Sequence, residues 1–216
     1  MRNTLILAAG LVLFAAEGRA DPNDAAARLE AAGGSMSWSY TPKGRSERFG
    51  HAEALALAPP IYVRDQAVDY AHYKDMSNGR IRTSRLVDKR PGSTDVYLQV
   101  PVLHGMVTLW QVLRFSDVHR AADGTETITG TLVRGNVHAA EMTLTIRPAG
   151  AGRSIVAVDM MLEPGFAAPQ SMVDAELRDA ARSAVRALAA HAEQKYVASL
   201  PRAQDGTLEN RVAESH

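Results

Sequence analysis

Turn signals recur at regular intervals through the middle of this 216-residue chain. Pairs such as Pro91-Gly92 and Asp123-Gly124 separate segments that are rich in Val, Thr, Leu and Ile. Such segments, bounded by Gly, Pro, Asn or Asp, are typical of strands joined by tight turns. Six strands are predicted, at about residues 80–89, 94–103, 106–118, 125–134, 137–147 and 153–163. Because their connections are too short for parallel crossovers, neighbouring strands should pair antiparallel as a meander.

Several of these segments alternate between apolar and polar residues. In residues 153–163, for example, Val158 and Met160 lie on either side of Asp159. Alternation of this kind places one face of an antiparallel sheet against a core and the other face in solvent. The residues that the pattern points inward include Leu109, Gln111, Leu113, His138, Met142, Leu144, Val158 and Met160.

A long amphipathic helix is predicted after the strands, from Pro169 to about Tyr196. Its apolar residues fall on one stripe, and its charged residues lie away from that stripe. The middle of the stripe is rich in Ala, which permits a close approach to a sheet, and Met172 near the start can adapt its shape to a neighbour. Pro201 ends the pattern, and residues 198–216 are predicted to form a disordered tail.

The segment that precedes the strands is less regular. A short helix is predicted from Asp24 to Ala32, because Asp24 suits an N-cap and two glycines follow. The stretch 35–48, rich in Ser, Gly and Lys, is interpreted as an extended arm. A strand at 53–58 and a helix at 61–76 complete the predicted elements.

The first 20 residues have the pattern of a cleaved secretion signal. Arg2 supplies the positive charge, Leu5 to Ala16 form an apolar run of about twelve residues, and small residues surround Arg19. A membrane-spanning helix needs about 20 apolar residues, so an uncleaved anchor is the weaker alternative. The mature chain is therefore expected to be periplasmic or secreted.

Composition excludes several classes of chemistry. The chain has no Cys, which rules out a lipoprotein anchor, disulfides and thiolate catalysis. Its 24 basic and 24 acidic residues balance, so it lacks the excess of positive charge with which proteins neutralise phosphates, and nucleic acid is not an expected partner. Abundant Ala and Arg with little Lys suggest a GC-rich bacterial genome, which favours the periplasm as the destination.

Two short motifs resemble a known superfamily. The residues from Asp69 to Tyr73 (DYAHY) resemble the aspartate-aromatic signature that ends the first helix of the polyketide cyclase/dehydrase-like branch of the START-like (SRPBCC) superfamily. Glu163-Pro164-Gly165, followed by Pro169, resembles the entry of that branch into its last helix. StAR-related lipid-transfer proteins and birch-pollen allergens belong to the same superfamily.

The resemblance implies an α+β helix-grip fold, in which a curved antiparallel meander sheet closes over the long C-terminal helix. It covers roughly residues 50–195. The predicted organisation is therefore a signal peptide (1–20), an N-terminal helix and arm (21–49), a START-like domain (50–197) and a tail (198–216). A helix that lies across such a sheet often leaves an apolar cavity. The loops 148–153 and 165–168 are the predicted mouth of this cavity.

Patterns for catalysis or metal binding are weak. No Gly-x-Ser-x-Gly motif occurs, so a nucleophilic hydrolase is not favoured. Acid–base chemistry would have to use Gln111, His138, Tyr97 or Tyr70. No cofactor or metal site is expected, because the histidines have no ligand spacing. They lie at positions 51, 72, 104, 119, 138, 191 and 216.

The favoured hypothesis is an exported soluble protein that binds or carries a hydrophobic small molecule, such as a lipid, an isoprenoid or a polyketide-like compound. The alternatives are a cyclase/dehydratase-type enzyme and a ligand-free interaction module. A transient contact with the membrane or an envelope protein would accompany carriage. Gln111 and His138 are expected to orient a polar head group. The predicted ligand contacts are Leu109, Gln111, Leu113, His138, Met142, Leu144, Val158, Met160 and Met172.

Overall fold

Nine antiparallel strands form one sheet in the computed structural model, which describes residues 22–150 and 152–201. The strands are β1 (Ser35–Tyr40), β2 (Phe49–Ala56), β3 (Thr83–Arg90), β4 (Ser93–Val102), β5 (Val107–Ser116), β6 (His119–Arg120), β7 (Glu126–Gly135), β8 (Val137–Pro148) and β9 (Ser154–Pro164). The helices are α1 (Pro22–Ala31), α2 (Pro60–Ala67), α3 (Tyr73–Met76) and α4 (Gln170–Ser199), and 3₁₀ turns span Tyr70–His72 and Leu103–Gly105. The predicted signal peptide and residues 202–216 of the predicted tail lie outside the described residues.

The strand order confirms the predicted α+β helix-grip fold. Across the sheet it is β1-β2-β9-β8-β7-β5-β4-β3, with the short β6 paired to β7 alone. Strands that follow one another from β3 to β9 are therefore neighbours, as a meander requires, except where β6 leaves the path. β2 joins the far edge of the meander by pairing with β9. The 30-residue helix α4 closes the inner face of the sheet.

Two predicted segments differ from the structure. Residues 35–40, interpreted as part of an extended arm, form the edge strand β1 and pair with β2 in register, Trp38 opposite His51. The predicted helix 61–76 is interrupted, since α2 ends at Ala67 and Asp69 has non-helical torsions (φ −82°, ψ 58°). The hydroxyl of Tyr73 donates a hydrogen bond to the carbonyl of Ala67, which satisfies one of the free carbonyl groups at the end of α2.

Helix α1 covers part of the outer face of the sheet. Its residues Ala26 and Leu29 are buried against Ala149 and Ile155. The alternation in β9 predicted an outer face in solvent, but Ile155 and Ala157 are both buried there. That prediction is wrong for this corner, because a second layer lies over it.

On the inner face, α4 approaches β2 very closely. A Cβ atom added to Gly50 would lie 2.5 Å from the backbone carbonyl carbon of Leu177. The next inward residues of β2 are Ala52, Ala54 and Ala56, all buried. Because these side chains are so small, the helix rests almost directly on this strand.

Candidate functional site

A cavity of about 270 Å³ lies between the inner face of the sheet and α4. Its walls are the inward side chains of β4, β5, β8 and β9 on one side and those of α4 on the other. Eight of the nine predicted ligand contacts line it. These are Leu109, Gln111, Leu113, Met142, Leu144, Val158, Met160 and Met172.

The cavity follows from the unequal spacing of α4 over the sheet. The helix touches β2, yet it faces β4 and β5 across open space. Towards that space it presents Ala180, Ser183, Ala184 and Ala187, all of them small. Short side chains on the helix leave a volume that the strands do not fill.

The deep end of the cavity is closed by aromatic packing. Phe115 on β5 is fully buried and stacks on Tyr70 with ring centroids 4.7 Å apart. Its ring also leans over Gly130, where an added Cβ would come within 2.8 Å of it. Burial raises the pKa of Tyr70 to about 12, so this phenol stays neutral and cannot act as a base near neutral pH.

Sequence reasoning missed one wall of the cavity. Tyr73, Met76 and Ile81, in and after α3, line the cavity beside the open edge of the sheet. The available signal was the presence of Met76 and Ile81 in an otherwise polar stretch. Arg80 in the same segment forms an ion pair with Asp179 of α4, which links this wall to the helix.

The rim of the cavity is apolar and partly exposed. The cavity is lined at its rim by Leu103 after the end of β4, Phe166 in the 165–168 loop and Met172 in the first turn of α4. Phe166 and Met172 are 37% and 42% exposed, and the neighbouring Met106 is 82% exposed. The 165–168 loop is thus at the rim, as predicted. The 165–168 loop lies near the start of β8, whereas the other predicted mouth loop, 148–153, follows its end. Ala149 in that second loop is buried under α1.

His138 does not face the cavity, so the prediction that it points inward is wrong. The pairing of β8 with β9 shifts register between Val137 and Ala139, which marks a β-bulge at His138. A bulge adds one residue to a strand and reverses the side-chain alternation beyond it. Val137 is therefore buried in place of His138, whose side chain is exposed.

Gln111 is the polar side chain that stands out among the apolar walls. Its Oε1 atom is buried, and it has no hydrogen-bond partner among the described residues. Tyr97, another candidate for acid–base chemistry, packs with Trp110 and Arg85 instead of lining the cavity. Among the described lining residues, no pair of hydrogen-bonded acid and base side chains converges on the open space.

Two further observations concern other kinds of site. Within residues 22–150 and 152–201, no group of three or more His, Asp or Glu is arranged to hold a metal ion. In the same part of the chain, no helix has both the length and the apolar character needed to cross a membrane.

The sequence matches no family model and no curated protein. Solved structures nevertheless share its fold. A STAR-related lipid transfer protein from Xanthomonas axonopodis has a TM-score of 0.64 and 19% identity, covering 74% of this chain and 94% of that chain. The human StarD13 lipid transfer and protein localization domain has a TM-score of 0.58 and 14% identity, covering 78% and 95%.

A bacterial enzyme is also similar. The Zhui aromatase/cyclase from a Streptomyces species has a TM-score of 0.50 and 15% identity, covering 80% of this chain and 99% of that chain. Together these similarities show that the chain has the fold that these lipid transfer and aromatase/cyclase structures share. The fold predicted from the two sequence motifs is confirmed.

Proposed function

We propose that the protein binds and carries a hydrophobic small molecule in the cavity under α4. The observation that carries this proposal is the apolar cavity of about 270 Å³. An engineered apolar cavity of about 150 Å³ stays dry and binds benzene, so this larger one has room for part or all of a small lipid-like molecule. Two of the structurally similar proteins are described as lipid transfer proteins, which supports the same function.

The two alternatives receive less support. The similarity to an aromatase/cyclase favours an enzyme, but the described lining residues offer one amide, Gln111, and no acid–base pair beside it. A ligand-free interaction module would be expected to have a filled core. An open volume of this size argues against that alternative.

The proposal is tested by filling the cavity. Met142→Trp and Met160→Trp place a large ring in the open space, and we expect at least a tenfold weaker binding of Nile red with little change in the unfolding midpoint. The control is Leu57→Trp, because Leu57 is 58% exposed, does not line the cavity and lies outside its rim. Unchanged dye binding in both filled variants would contradict the proposal.

We further propose that the carrier acts outside the cytoplasm, on the basis of the signal-like pattern in residues 1–20. Expressed with its own N-terminus in a Gram-negative host, the protein should be recovered from the periplasmic fraction beginning at or near Asp21. N-terminal sequencing checks this. A product that starts at Met1 and stays in the cytoplasm would disprove export.

Cargo exchange is proposed to involve transient contact with a membrane or an envelope protein. The support is the exposed apolar rim formed by Phe166 and Met172, with Met106 beside it. Exposed apolar side chains gathered around a cavity mouth are typical of surfaces that meet another apolar surface.

A further inference from the structure

We propose that the cargo is an uncharged apolar molecule that carries a hydroxyl group, and that Gln111 binds this hydroxyl. The inference rests on the proposed function, since it names the class of molecule that the same cavity accepts. Three observations carry it: the unpaired amide of Gln111, the way its strand is fixed, and the charges around the cavity.

The amide of Gln111 has no partner within the described protein. Gln111 lies on the inner face of β5 between Leu109 and Leu113, and its neighbour across the strand pair is Leu98 of β4. These neighbours are apolar and offer no side-chain hydrogen bonds. Buried polar groups are normally hydrogen-bonded, so an unpaired amide in an apolar cavity marks the place where a ligand can supply the bond.

Gly135 places no side chain beside Gln111. Gly135 of β7 is opposite Gln111, and an added Cβ there would lie 3.2 Å from the Cβ of Gln111 and 2.6 Å from the carbonyl oxygen of Trp110. The adjoining strand therefore comes very close but contributes no side chain that could bond or shield the amide.

Asn136 holds this part of β5 in position. Its side-chain oxygen accepts a hydrogen bond from the backbone N–H of Trp110 at 2.8 Å, and its side-chain nitrogen donates to the carbonyl of Thr108 at 3.0 Å. Both bonds lie just before Gln111 in the strand. The amide is thus presented from a fixed backbone, which favours selective recognition of a ligand group.

The charges around the cavity disfavour an anionic cargo. Arg80 is the cation among the described lining residues, and it is already paired with Asp179. Glu176 of α4 also lines the cavity and has no ion pair in the described part of the chain. Glu141 lines the cavity as well, and its carboxylate is paired with Arg45. A fatty-acid carboxylate or a phosphate would therefore meet no free cation and one unpaired carboxylate among the described lining residues.

A hydroxyl can donate the hydrogen bond that the Oε1 atom of Gln111 lacks. The amide offers an acceptor oxygen and donor N–H groups, and its terminal torsion is broad, so either atom can turn to a ligand. A hydroxyl both donates and accepts, and it can bond to either of them. An ether oxygen can only accept.

The test compares three probes with the same alkyl chain. Nile red bound to the purified mature protein is displaced with 1-dodecanol, dodecyl methyl ether or dodecanoate at neutral pH. We expect 1-dodecanol to displace the dye at a concentration at least tenfold lower than either of the other two, because it is the one probe of the three that can donate a hydrogen bond to the unpaired Oε1 atom of Gln111.

Gln111→Leu should remove this preference, so that the alcohol and the ether displace Nile red at similar concentrations once each is referred to the dye affinity measured for that variant. The control is Gln99→Leu, since Gln99 on β4 does not line the cavity, and it should keep the wild-type preference. Equal displacement by the alcohol and the ether, or a preference that survives in Gln111→Leu, would overturn the inference while leaving the carrier function standing. A protein that binds neither the dye nor any probe would overturn the carrier function itself.

Discussion

The two faces of strands β2 and β9 carry different kinds of residue: mostly apolar on the inner face and several charged on the outer face. On the inner face, Ala52, Val158 and Met160 meet α4 or the cavity. On the outer face, the same strands carry His51 and Asp159, whose Nδ1 and Oδ1 atoms are 2.7 Å apart. Successive residues of a strand point to opposite faces, so one strand can contribute apolar side chains to the interior and charged side chains to a cluster on the other face.

The carboxylates of this outer cluster, which comprises Arg28, His51, Glu53, Arg147 and Asp159, are all paired. Glu53 is buried, and its carboxylate accepts hydrogen bonds from Arg28 of α1 and Arg147 of β8, both at 2.8 Å. Trp38 of β1 packs against the His51 ring with a centroid distance of 4.2 Å and an angle of 36° between the ring planes. These contacts join α1, β1 and β8 to β2.

The inner face instead leaves its amide, Gln111, without a partner. The contrast indicates that the charged residues on the outer face of β2 and β9 stabilise the fold, whereas Gln111 on the inner face of β5 is available to a ligand. Substitutions on the two faces should therefore have opposite consequences for stability and for binding.

The largest expected effect comes from breaking the outer cluster. Glu53→Ala leaves His51, Arg28 and Arg147 without their shared carboxylate, and removal of one partner from a buried ion pair is strongly destabilising. Because Arg28 and Arg147 are partly exposed, we expect a loss of about 2 to 4 kcal/mol, below the upper end for fully buried pairs. Urea unfolding followed by circular dichroism measures it, and dye binding should persist in the folded variant.

Glu141→Ala is the matched control on the same face of the sheet. Glu141 is bonded to Arg45 through two hydrogen bonds of 2.8 and 2.9 Å, but both side chains are substantially exposed. Exposed ion pairs contribute roughly 0 to 1 kcal/mol. If the two variants lost the same stability, burial of Glu53 would not be what distinguishes the outer cluster.

A smaller effect is expected from pH, through His51. Burial disfavours its charged form, but the hydrogen bond with Asp159 and the nearby carboxylate of Glu53, 3.8 Å from Nε2, outweigh burial and raise the pKa of His51 to about 9. The raised pKa stabilises the folded state fully below about pH 6.5, and this contribution disappears as the pH rises through about 9. We expect a loss of about 1 to 3 kcal/mol over that range, measured by urea unfolding.

His51→Gln tests whether this histidine causes the pH dependence. The variant should lose the decline between about pH 6.5 and 9 while remaining folded. If the free energy of unfolding declined with pH as steeply in the variant as in the wild type, other groups would cause the decline. His51 would then not contribute to the stability that the outer face provides.

Local patterns in the sequence predicted much of the fold. The strand predicted at 94–103 is observed at Ser93–Val102, because turns at both ends and a regular alternation define it. β1 was missed although its alternation is visible in retrospect, with Met36, Trp38 and Tyr40 separated by serines. The stretch 35–48 as a whole is rich in Ser, Gly and Lys, and this composition obscured an alternation that spans only six residues.

The remaining errors concern features that no local pattern encodes. The inward position of His138 was inferred from strict alternation, and a bulge that depends on pairing with β9 overturns it. His51 and Asp159 are 108 positions apart and become neighbours only through the pairing of β2 with β9. The cavity walls on regular strands were therefore predictable, whereas the outer cluster and the wall from α3 depend on long-range topology.

The smallest expected effect on stability belongs to Gln111→Leu, and it separates the two faces most sharply. Replacing a buried amide that has no partner with an apolar side chain of similar size removes a desolvation cost and breaks no hydrogen bond. We expect the free energy of unfolding to stay within about 0.5 kcal/mol of the wild type or to rise by up to about 1 kcal/mol.

Gln99→Leu provides the comparison for this substitution. The side-chain oxygen of Gln99 accepts a hydrogen bond from Thr83 at 3.2 Å, so the same replacement there should lower stability by about 0.5 to 1.5 kcal/mol. Urea unfolding of the two variants side by side measures the difference. If Gln111→Leu destabilised the protein as much as Gln99→Leu does, the amide of Gln111 would have a partner within the fold. The contrast between the ion-paired Glu53 on the outer face and the unpaired Gln111 on the inner face would then fail.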